Sequence, residues 1–489
     1  MLKGLVLSIF IESDKMIEKL GENEMEVLVF FREILSNPAI MIATVTCLGL
    51  FVQKKPLEYV AKGTIAVIIG YTLVIIASDI LRNNVLSDFA TLFNYDFNLN
   101  GVTPDMKRVQ SIGLGQYGML VSLTVIFGYI ANIIMARFSE FKYVFLSGHH
   151  AIYMACLLVI IFSNTAMNPQ QIVICSSLML GLLMAFVPFV LEKDMEKLCK
   201  KDQIGYGHFS SIGCLVASRI ASMFSNNDED TEYGDIQFKY RLRFMRDPNV
   251  CMFIVMSILF LLITGIASTR TNVLTLGIDA SGFGGWIMYS FTKAAYFTGC
   301  VYIILIGVKM FVKEVGPAFK GLAKVIAPGA KPALDCPSVF SYSPNAMLVG
   351  FLMSFVGGLS AMLIFVGINH FSGMDLFPII IPGLASHFFC GGASGVFANE
   401  QGGKKGCIIG SFVQGLFITA LSMFVMPLLV NMDISGVTFS DSDFSLVAIL
   451  FGRIEELISG NVLSILCIVL YLAPIIRYMI HKYHMFEEQ

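Results

Sequence analysis

Three interrupted apolar stretches of the sequence each carry ionisable side chains beside glycine or proline. In the first, His149 and His150 follow a Ser-Gly pair near the start of an apolar run. In the second, His208 follows Gly-Tyr-Gly, and in the third, Asp335 lies between two prolines. Polar groups in apolar surroundings are costly unless they have partners or face a cavity. The pattern indicates either hydrogen bonds to neighbouring helices or a shared binding site.

The chemistry of these side chains suits a polyhydroxylated ligand. His149 and Tyr153 are four residues apart, so they share one face if the segment is helical. A neutral histidine offers one donor and one acceptor, and a tyrosine hydroxyl offers both. His208 and Asp335 occupy positions suited to helix ends or re-entrant turns, where backbone N–H groups are free. We therefore predict a shared polar site, with a structural ion pair as the alternative for Asp335.

These residues also allow two other interpretations, a metal site and proton coupling. Histidines together with an aspartate can bind zinc, but the sequence contains no HExxH motif and Asp335 lies far along the chain. We therefore predict no metal site. Proton coupling through Asp79, Asp335 or the histidines would instead define an ion-coupled transporter.

The composition indicates an all-α polytopic membrane protein. Of 489 residues, 56% are hydrophobic and only 14% are charged, which excludes a soluble enzyme. Apolar runs of about 20 residues are long enough to span a membrane. They lie at 37–53, 63–81, 112–135, 143–163, 171–191, 249–268, 284–308, 346–368, 406–430 and 462–480, with shorter or broken runs at 205–224, 377–398 and 444–451. We expect about 10–11 transmembrane helices plus re-entrant segments in a multi-pass protein of the cell membrane.

The charges of the connecting loops predict the orientation of the chain. Lysines and arginines cluster at 54–62, 136–142 and 192–203, whereas 164–170 is uncharged and the charged residues of 431–445 are all acidic. By the positive-inside rule the basic loops are cytoplasmic. The N-terminus is then outside and the C-terminus is cytoplasmic.

Cysteine and charge distributions exclude two further classes of function. Most of the eleven cysteines lie in apolar runs and none forms a CxxC pair, so we expect neither a redox site nor a disulfide framework. The net charge is −2 and the basic residues lie in short clusters between the runs. Nucleic-acid binding is therefore not expected.

The sequence divides at one hydrophilic insertion. Residues 225–248 contain an acidic run followed by four basic residues, and they separate two halves at about 25–224 and 249–482. We interpret this segment as a solvated linker, the alternative being a recognition role. Residues 1–24 are interpreted as an N-terminal extension, because Met25 could be the natural start, and 483–489 as a cytoplasmic tail. A faint internal repeat suggests that the two halves of the 25–482 domain are structurally related.

Several collinear sequence blocks resemble a known family, from about Met25 to the last apolar run. The chain resembles the membrane component, EIIC, of the ascorbate-type bacterial phosphotransferase system (the UlaA/SgaT group). The matching blocks are Val-Thr-Cys-Leu-Gly at 45–49, Lys-Gly-Thr-Ile at 62–65, Leu-Ser-Gly-His at 146–149, Gly-His at 207–208, Gly-Val-Lys-Met-Phe-Val at 307–312, Ile-Ala-Pro-Gly-Ala at 326–330, Leu-Asp-Cys at 334–336, Pro-Asn-Ala at 344–346 and Gly-Val-Phe-Ala-Asn at 395–399.

The resemblance implies a homodimeric sugar permease with a core domain and a V-motif domain, which works by an elevator mechanism. In such a phosphotransferase system (PTS), a separate EIIB phosphorylates the sugar as it is delivered. The phosphoryl group comes from phosphoenolpyruvate through EI, HPr and EIIA. The chain itself is then the non-catalytic membrane subunit and needs no cofactor. A secondary transporter that moves a similar solute unmodified is the alternative.

The resemblance also identifies candidate substrate-binding residues. The family's two ligand histidines correspond to His149 and His208, and its aspartate corresponds to Asp335. Two family glutamines correspond to Tyr153 and Phe209. His150, beside His149, completes the predicted set. Because a site that bonds a particular hydroxyl rejects ligands lacking it, these two replacements can change the substrate. We expect L-ascorbate or a related sugar, sugar acid or polyol.

Overall fold

The structure is a computed structural model that describes residues 22–96, 101–200, 203–224, 247–280, 282–432, 434, 438–439 and 441–487. The predicted extension 1–24 and linker 225–248 lie largely outside these residues. Within them, the α-helices of four or more residues are α1 (Glu22–Ser36), α2 (Pro38–Val52), α3 (Leu57–Ile80), α4 (Ser87–Asp96), α5 (Met106–Phe138), α6 (Gly148–Ser163), α7 (Pro169–Val190), α8 (Glu192–Cys199), α9 (Ser211–Ser222), α10 (Pro248–Arg270), α11 (Gly282–Ile326), α12 (Pro337–Phe340), α13 (Pro344–Ser372), α14 (Gly392–Asn431), α15 (Ser442–Leu457) and α16 (Gly460–Glu487).

Long apolar helices dominate the described residues, and the predicted all-α polytopic fold is confirmed. Eight helical stretches in the described ranges are long and apolar enough to cross a membrane. They are Leu57–Asp96, Met106–Phe138, Pro169–Val190, Pro248–Arg270, Gly284–Ile326, Pro344–Ser372, Leu384–Asn431 and Gly460–Tyr483. Three shorter apolar helices accompany them, at Ala39–Val52, Gly148–Ser163 and Ser211–Ser222. α16 continues to Glu487 and so includes most of the predicted tail 483–489, whose cytoplasmic position stays a prediction.

Two single turns of π-helix interrupt the long helices. One, Leu81–Leu86, joins α3 to α4. The other, His387–Gly391, joins the short helical turn Leu384–Ser386 to α14. A π-turn inserts an extra residue into the helical hydrogen-bond ladder, and such turns occur frequently at functional sites.

A small parallel sheet lies among the helices. Its strands are β1 (Tyr143–Phe145), β2 (Gly205–Tyr206) and β3 (Lys331–Leu334), and their order is β1-β3-β2. The sequence predicted an apolar run of membrane length from residue 143, but residues 143–145 are a strand and α6 begins only at Gly148. His208 and Asp335, predicted at helix ends or re-entrant turns, each lie between a strand and the helix that follows it. Strands this short show no periodicity that distinguishes them from a turn.

Side-chain and backbone contacts hold the sheet together. Gly207 N donates to Leu334 O at 2.7 Å, and a Cβ at Gly207 would lie 2.5 Å from Ala333 O, so only glycine fits there. The edge strand β1 is completed by Asn132 of α5, which is fully buried. Its amide donates to Tyr143 O at 3.1 Å and accepts from Phe145 N at 3.0 Å. An edge strand with satisfied backbone groups can be buried at low cost.

Small residues allow the long helices to approach closely. A Cβ at Gly350 of α13 would lie 2.5 Å from the carbonyl oxygen of Gly391, and one at Gly70 of α3 would lie 2.8 Å from that of Gly307 in α11. Membrane helices commonly associate through such small-residue contacts. These contacts fix α13 and α3 against their neighbours, and both support elements that surround the sheet.

Candidate functional site

The carboxyl ends of the three strands meet at one edge of the sheet, because the strands are parallel. Each strand is followed within a few residues by one of the predicted side chains. His149 and His150 follow β1, His208 follows β2, and Asp335 follows the central strand β3. Ligands of parallel sheets commonly bind at this edge. The sheet therefore assembles residues that are distant in the sequence.

Three imidazole rings face one carboxylate. The Nε2 atom of His149 lies 3.4 Å from Asp335 Oδ2. The Nε2 atoms of His150 and His208 lie 3.8 and 3.9 Å from Asp335 Oδ1. The His149 side chain is the most exposed of the three, at 35%, whereas His208 is only 4% exposed. Access from solvent therefore decreases from His149 inward to His208.

Neighbouring groups fix the orientations of His208 and Asp335. His208 Nδ1 lies 2.9 Å from Ser210 Oγ, which lies 2.9 Å from the hydroxyl of Tyr206. Because Nδ1 contacts Ser210, Nε2 is the ring nitrogen of His208 that faces Asp335. Asp335 Oδ1 accepts from the N–H of Cys336 at 2.7 Å. Nδ1 of His150 is buried and has no hydrogen-bond partner among the described residues.

A second carboxylate, Asp441, was not predicted. Its Oδ2 lies 4.0 Å from His208 Nε2, and its Oδ1 accepts from the thiol of Cys390 at 3.2 Å. It immediately precedes α15, where Asp443 accepts from the N–H groups of Ser211 and Ile212 at 2.9 and 3.0 Å. The Asp-Ser-Asp sequence at 441–443 is a helix-start signal that could have drawn attention to this segment.

A cavity of about 810 Å³ lies over this edge of the sheet. Five of the predicted substrate-binding residues line it: His149, His150, Tyr153, His208 and Asp335. Other polar lining residues include Glu33, Tyr71, Ser78, Asp79, Arg82, Asn83, Asn94, Asp105, Lys107, Gln110 and Asp441. Tyr153 lies at 6.0 Å from both His149 and His150, measured between ring centroids. The cavity is large enough for a monosaccharide-sized ligand.

Phe209 is placed differently from the other predicted residues. It does not line this cavity and is completely buried. Its ring stacks on Phe145 at 5.0 Å and packs against Phe444 at 5.1 Å. The ring supports His150 from behind, 6.3 Å from its ring centroid, and a contact between Phe209 and substrate stays a prediction.

Several combinations of these side chains could hold a metal ion. The sets are His149, His150 and Asp335; His150, His208 and Asp441; and His208, Asp335 and Cys336. In each set the donor atoms lie within 4.8 Å of one another. The same imidazoles and carboxylates also provide the donors and acceptors that hydroxyl groups need.

The class of protein follows from comparison with a family model. The model described as EIIC-GAT, PTS system sugar-specific permease component, matches residues 33–443. The chain therefore belongs to this family of phosphotransferase-system permeases, and with its apolar helices it is a multi-pass membrane protein.

A curated relative shows more specific similarity. The chain is 23% identical over 423 residues to the "Ascorbate-specific PTS system EIIC component" of Mycoplasma pneumoniae. The match covers 78% of this chain and 64% of the relative, so it spans slightly less than two thirds of that protein's length.

Proposed function

We propose that this protein is the EIIC permease that binds L-ascorbate or a related sugar, sugar acid or polyol and carries it across the cell membrane for phosphorylation by a separate EIIB. The observation that carries the proposal is the convergence of His149, His208 and Asp335 on one cavity at the carboxyl edge of the sheet. The Mycoplasma relative is described as ascorbate-specific, which supports this substrate.

The geometry suits recognition of hydroxyl groups. Asp335 accepts hydrogen bonds, and each neutral imidazole either donates or accepts through Nε2. The three imidazole Nε2 atoms lie 3.4 to 3.9 Å from the Asp335 carboxylate. A substrate hydroxyl could therefore bond to both an imidazole and the carboxylate. A site whose buried polar groups require such partners discriminates against solutes that lack them.

The proposed orientation places the cavity mouth outside the cell. The cavity lining includes Thr103, Asp105 and Lys107, which lie at or just before the start of α5. Arg137 lies at the other end of this helix. Near Arg137, burial together with the charges of Lys482 and Arg137 lowers the pKa of Lys142. This concentration of cations supports a cytoplasmic position for that end. The structure would then correspond to an outward-facing state.

Delivery to the cytoplasm requires the site to become accessible from the opposite face. We propose an elevator-type movement of the sheet and its surrounding helices within a homodimer, with the V-motif domain forming the dimer contact. Phospho-EIIB would meet the substrate inside, with phosphate supplied from phosphoenolpyruvate through EI, HPr and EIIA. This chain would then contribute binding and movement, and EIIB would contribute the phosphoryl-transferring residue.

Uptake in cells with and without EI tests this proposal. Cells that express this protein with its EIIB and EIIA should accumulate phosphorylated L-ascorbate or sugar acid, and deletion of EI should abolish accumulation. A variant EIIB without its reactive cysteine should have the same effect as the EI deletion. Accumulation of unmodified solute without EI would instead identify a secondary transporter.

A further inference from the structure

One cation in the cavity has no role in the hydroxyl-binding cluster. Arg82 lines the same cavity as His149 and Asp335. It lies in the π-helical turn Leu81–Leu86, which follows directly on α3. This turn places Arg82 at the cavity surface while its neighbours Leu81 and Val85 are fully buried.

The second π-helical turn places an aromatic ring beside the guanidinium. The Arg82 guanidinium lies 5.7 Å from the ring centroid of Phe389, which belongs to the turn His387–Gly391 and also lines the cavity. A guanidinium that stacks on an aromatic ring keeps its N–H groups available at its edge for hydrogen bonds. The two irregular turns therefore meet at one cation.

In the part of the chain that the structure describes, Arg82 forms neither a salt bridge nor a hydrogen bond, so it has no anionic partner there. The cavity lining contains five carboxylates. Glu33 pairs with Arg32, Asp105 accepts from the N–H groups of Lys107 and Arg108, Asp335 faces the three histidines, and Asp441 faces His208 and Cys390. Asp79, three residues before Arg82, forms no salt bridge with it among the described residues. By contrast, Lys293 is paired with Asp88 at 2.6 Å.

A partly buried cation without a partner is poorly stabilised, so an anion that enters the cavity gains a favourable contact. The planar fork of arginine matches a carboxylate or a similar delocalised oxyanion in two parallel hydrogen bonds. A neutral polyol offers no such group. Arg82 would consequently separate anionic from neutral sugars, which the histidines and Asp335 cannot do.

We propose that Arg82 binds the negatively charged group of the substrate and that the transported class is anionic sugar derivatives carrying a carboxylate or an enolate. The hydroxyl groups of the same molecule would occupy the cluster of His149, His208 and Asp335. This inference rests on the proposed function, because it assigns the substrate class of the same cavity.

Binding to the purified full-length protein tests the assignment. The probes are L-ascorbate, whose charge is an enolate, D-gluconate, whose charge is a carboxylate, and D-glucitol, which has the carbon skeleton of gluconate but no charge. The wild type should bind at least one anionic probe more than tenfold more tightly than D-glucitol. Arg82→Gln should weaken that binding about 10- to 100-fold, the range for a charged hydrogen bond. D-glucitol binding should change less than about threefold.

Two further variants make the result specific. Arg82→Lys keeps the charge but loses the fork, and it should retain an intermediate preference for anions. Arg108→Gln removes an exposed cation at the start of α5, near the cavity but outside its lining. This variant should leave all affinities unchanged. Circular dichroism and dimer size of each variant show whether it is folded.

Three outcomes would overturn the inference. They are equal weakening of anionic and neutral probes in Arg82→Gln, preference of the wild type for D-glucitol, and failure of the wild type to bind either anion. Failure of the proposed function is separate, since it would appear as EI-independent uptake of unmodified solute. Charge selection by Arg82 can be true in either kind of transporter.

Discussion

Among the described residues, Asp335 is the one that lies close to all three imidazole rings of the cluster. It follows the central strand, it lies within 4 Å of three imidazole Nε2 atoms, and it accepts from the backbone N–H of Cys336. His208, in contrast, has one partner in Ser210 and two carboxylates near its other nitrogen. Removal of either side chain leaves buried polar groups without partners, and this loss determines the expected effects.

Replacement of Asp335 or His208 by alanine should weaken binding of the transported anion by about 1–3 kcal/mol, the cost of an unsatisfied buried partner. Isothermal titration calorimetry on purified protein measures this change. His481→Ala, at an exposed position of α16, is the control and should bind as the parent does. If Asp335→Ala binds as tightly as the parent, the cluster is structural and the ligand lies elsewhere.

Tyr153 and Phe209 should respond differently to glutamine. Tyr153→Gln introduces an amide at the cavity surface and should shift preference toward L-ascorbate. Phe209→Gln buries an amide between Phe145 and Phe444, and it should lower stability by about 1–3 kcal/mol. Competition binding and thermal unfolding separate these effects. A Phe209→Gln protein with unchanged thermal stability and altered selectivity would contradict the supporting position of this ring.

At the scale of elements, the three-stranded sheet determines the site. Its strands contribute nine residues in all, yet their parallel arrangement places the following residues at one edge. Gly207 and Asn132 allow this arrangement, the first by its lack of a side chain and the second by completing the backbone hydrogen bonds of β1. The positions of His208 and the β1 residues therefore depend on backbone contacts as much as on side chains.

Gly207→Ala should disturb both stability and binding. Its Cβ would meet Ala333 O at 2.5 Å, so β2 and β3 must separate and His208 must move. Gly299→Ala is a matched control, because Gly299 is exposed on α11 and a Cβ there meets nothing within 4 Å. The control should be neutral or slightly stabilising. Thermal unfolding and ligand titration compare the two variants, and equal behaviour would argue against the tight strand contact.

The sequence revealed the ionisable residues but not the element that gathers them. Histidines and an aspartate in apolar stretches were recognisable because their types conflict with their surroundings. The strands were not, because two to four residues show no alternation and their partners lie more than a hundred residues away. Asp441 and Arg82 were missed for a related reason. Each lies in a segment where a charged residue is unremarkable, a loop or the end of an apolar run, and only the fold brings it to the cavity.

At the scale of the whole molecule, the orientation in the membrane decides which side supplies the substrate. The cavity reaches the start of α5, and the cations near Arg137 lie at the other end of that helix. In the proposed orientation the end near Arg137 is cytoplasmic, so the cavity lies toward the outside.

Reporter fusions measure this orientation. Fusions at Lys55, Lys142 and Lys200 should report the cytoplasm, and an insertion in 164–170 should report the outside. A cysteine at the exposed position Thr103 should react with a membrane-impermeant maleimide added to intact cells. The reverse pattern would make the described cavity inward-facing and would require a different sequence of transport steps.

The order of the strands also bears on biosynthesis. β1 and β2 do not pair with each other, because the later strand β3 lies between them. Until the ribosome has synthesised the chain through Leu334, both early strands lack their partner. The first helices of the nascent protein must therefore insert while β1 and β2 still lack the strand with which they pair. If synthesis stops before Lys331, the inserted chain should lack β3 and therefore the candidate site. We expect membrane quality-control proteases to degrade such a chain.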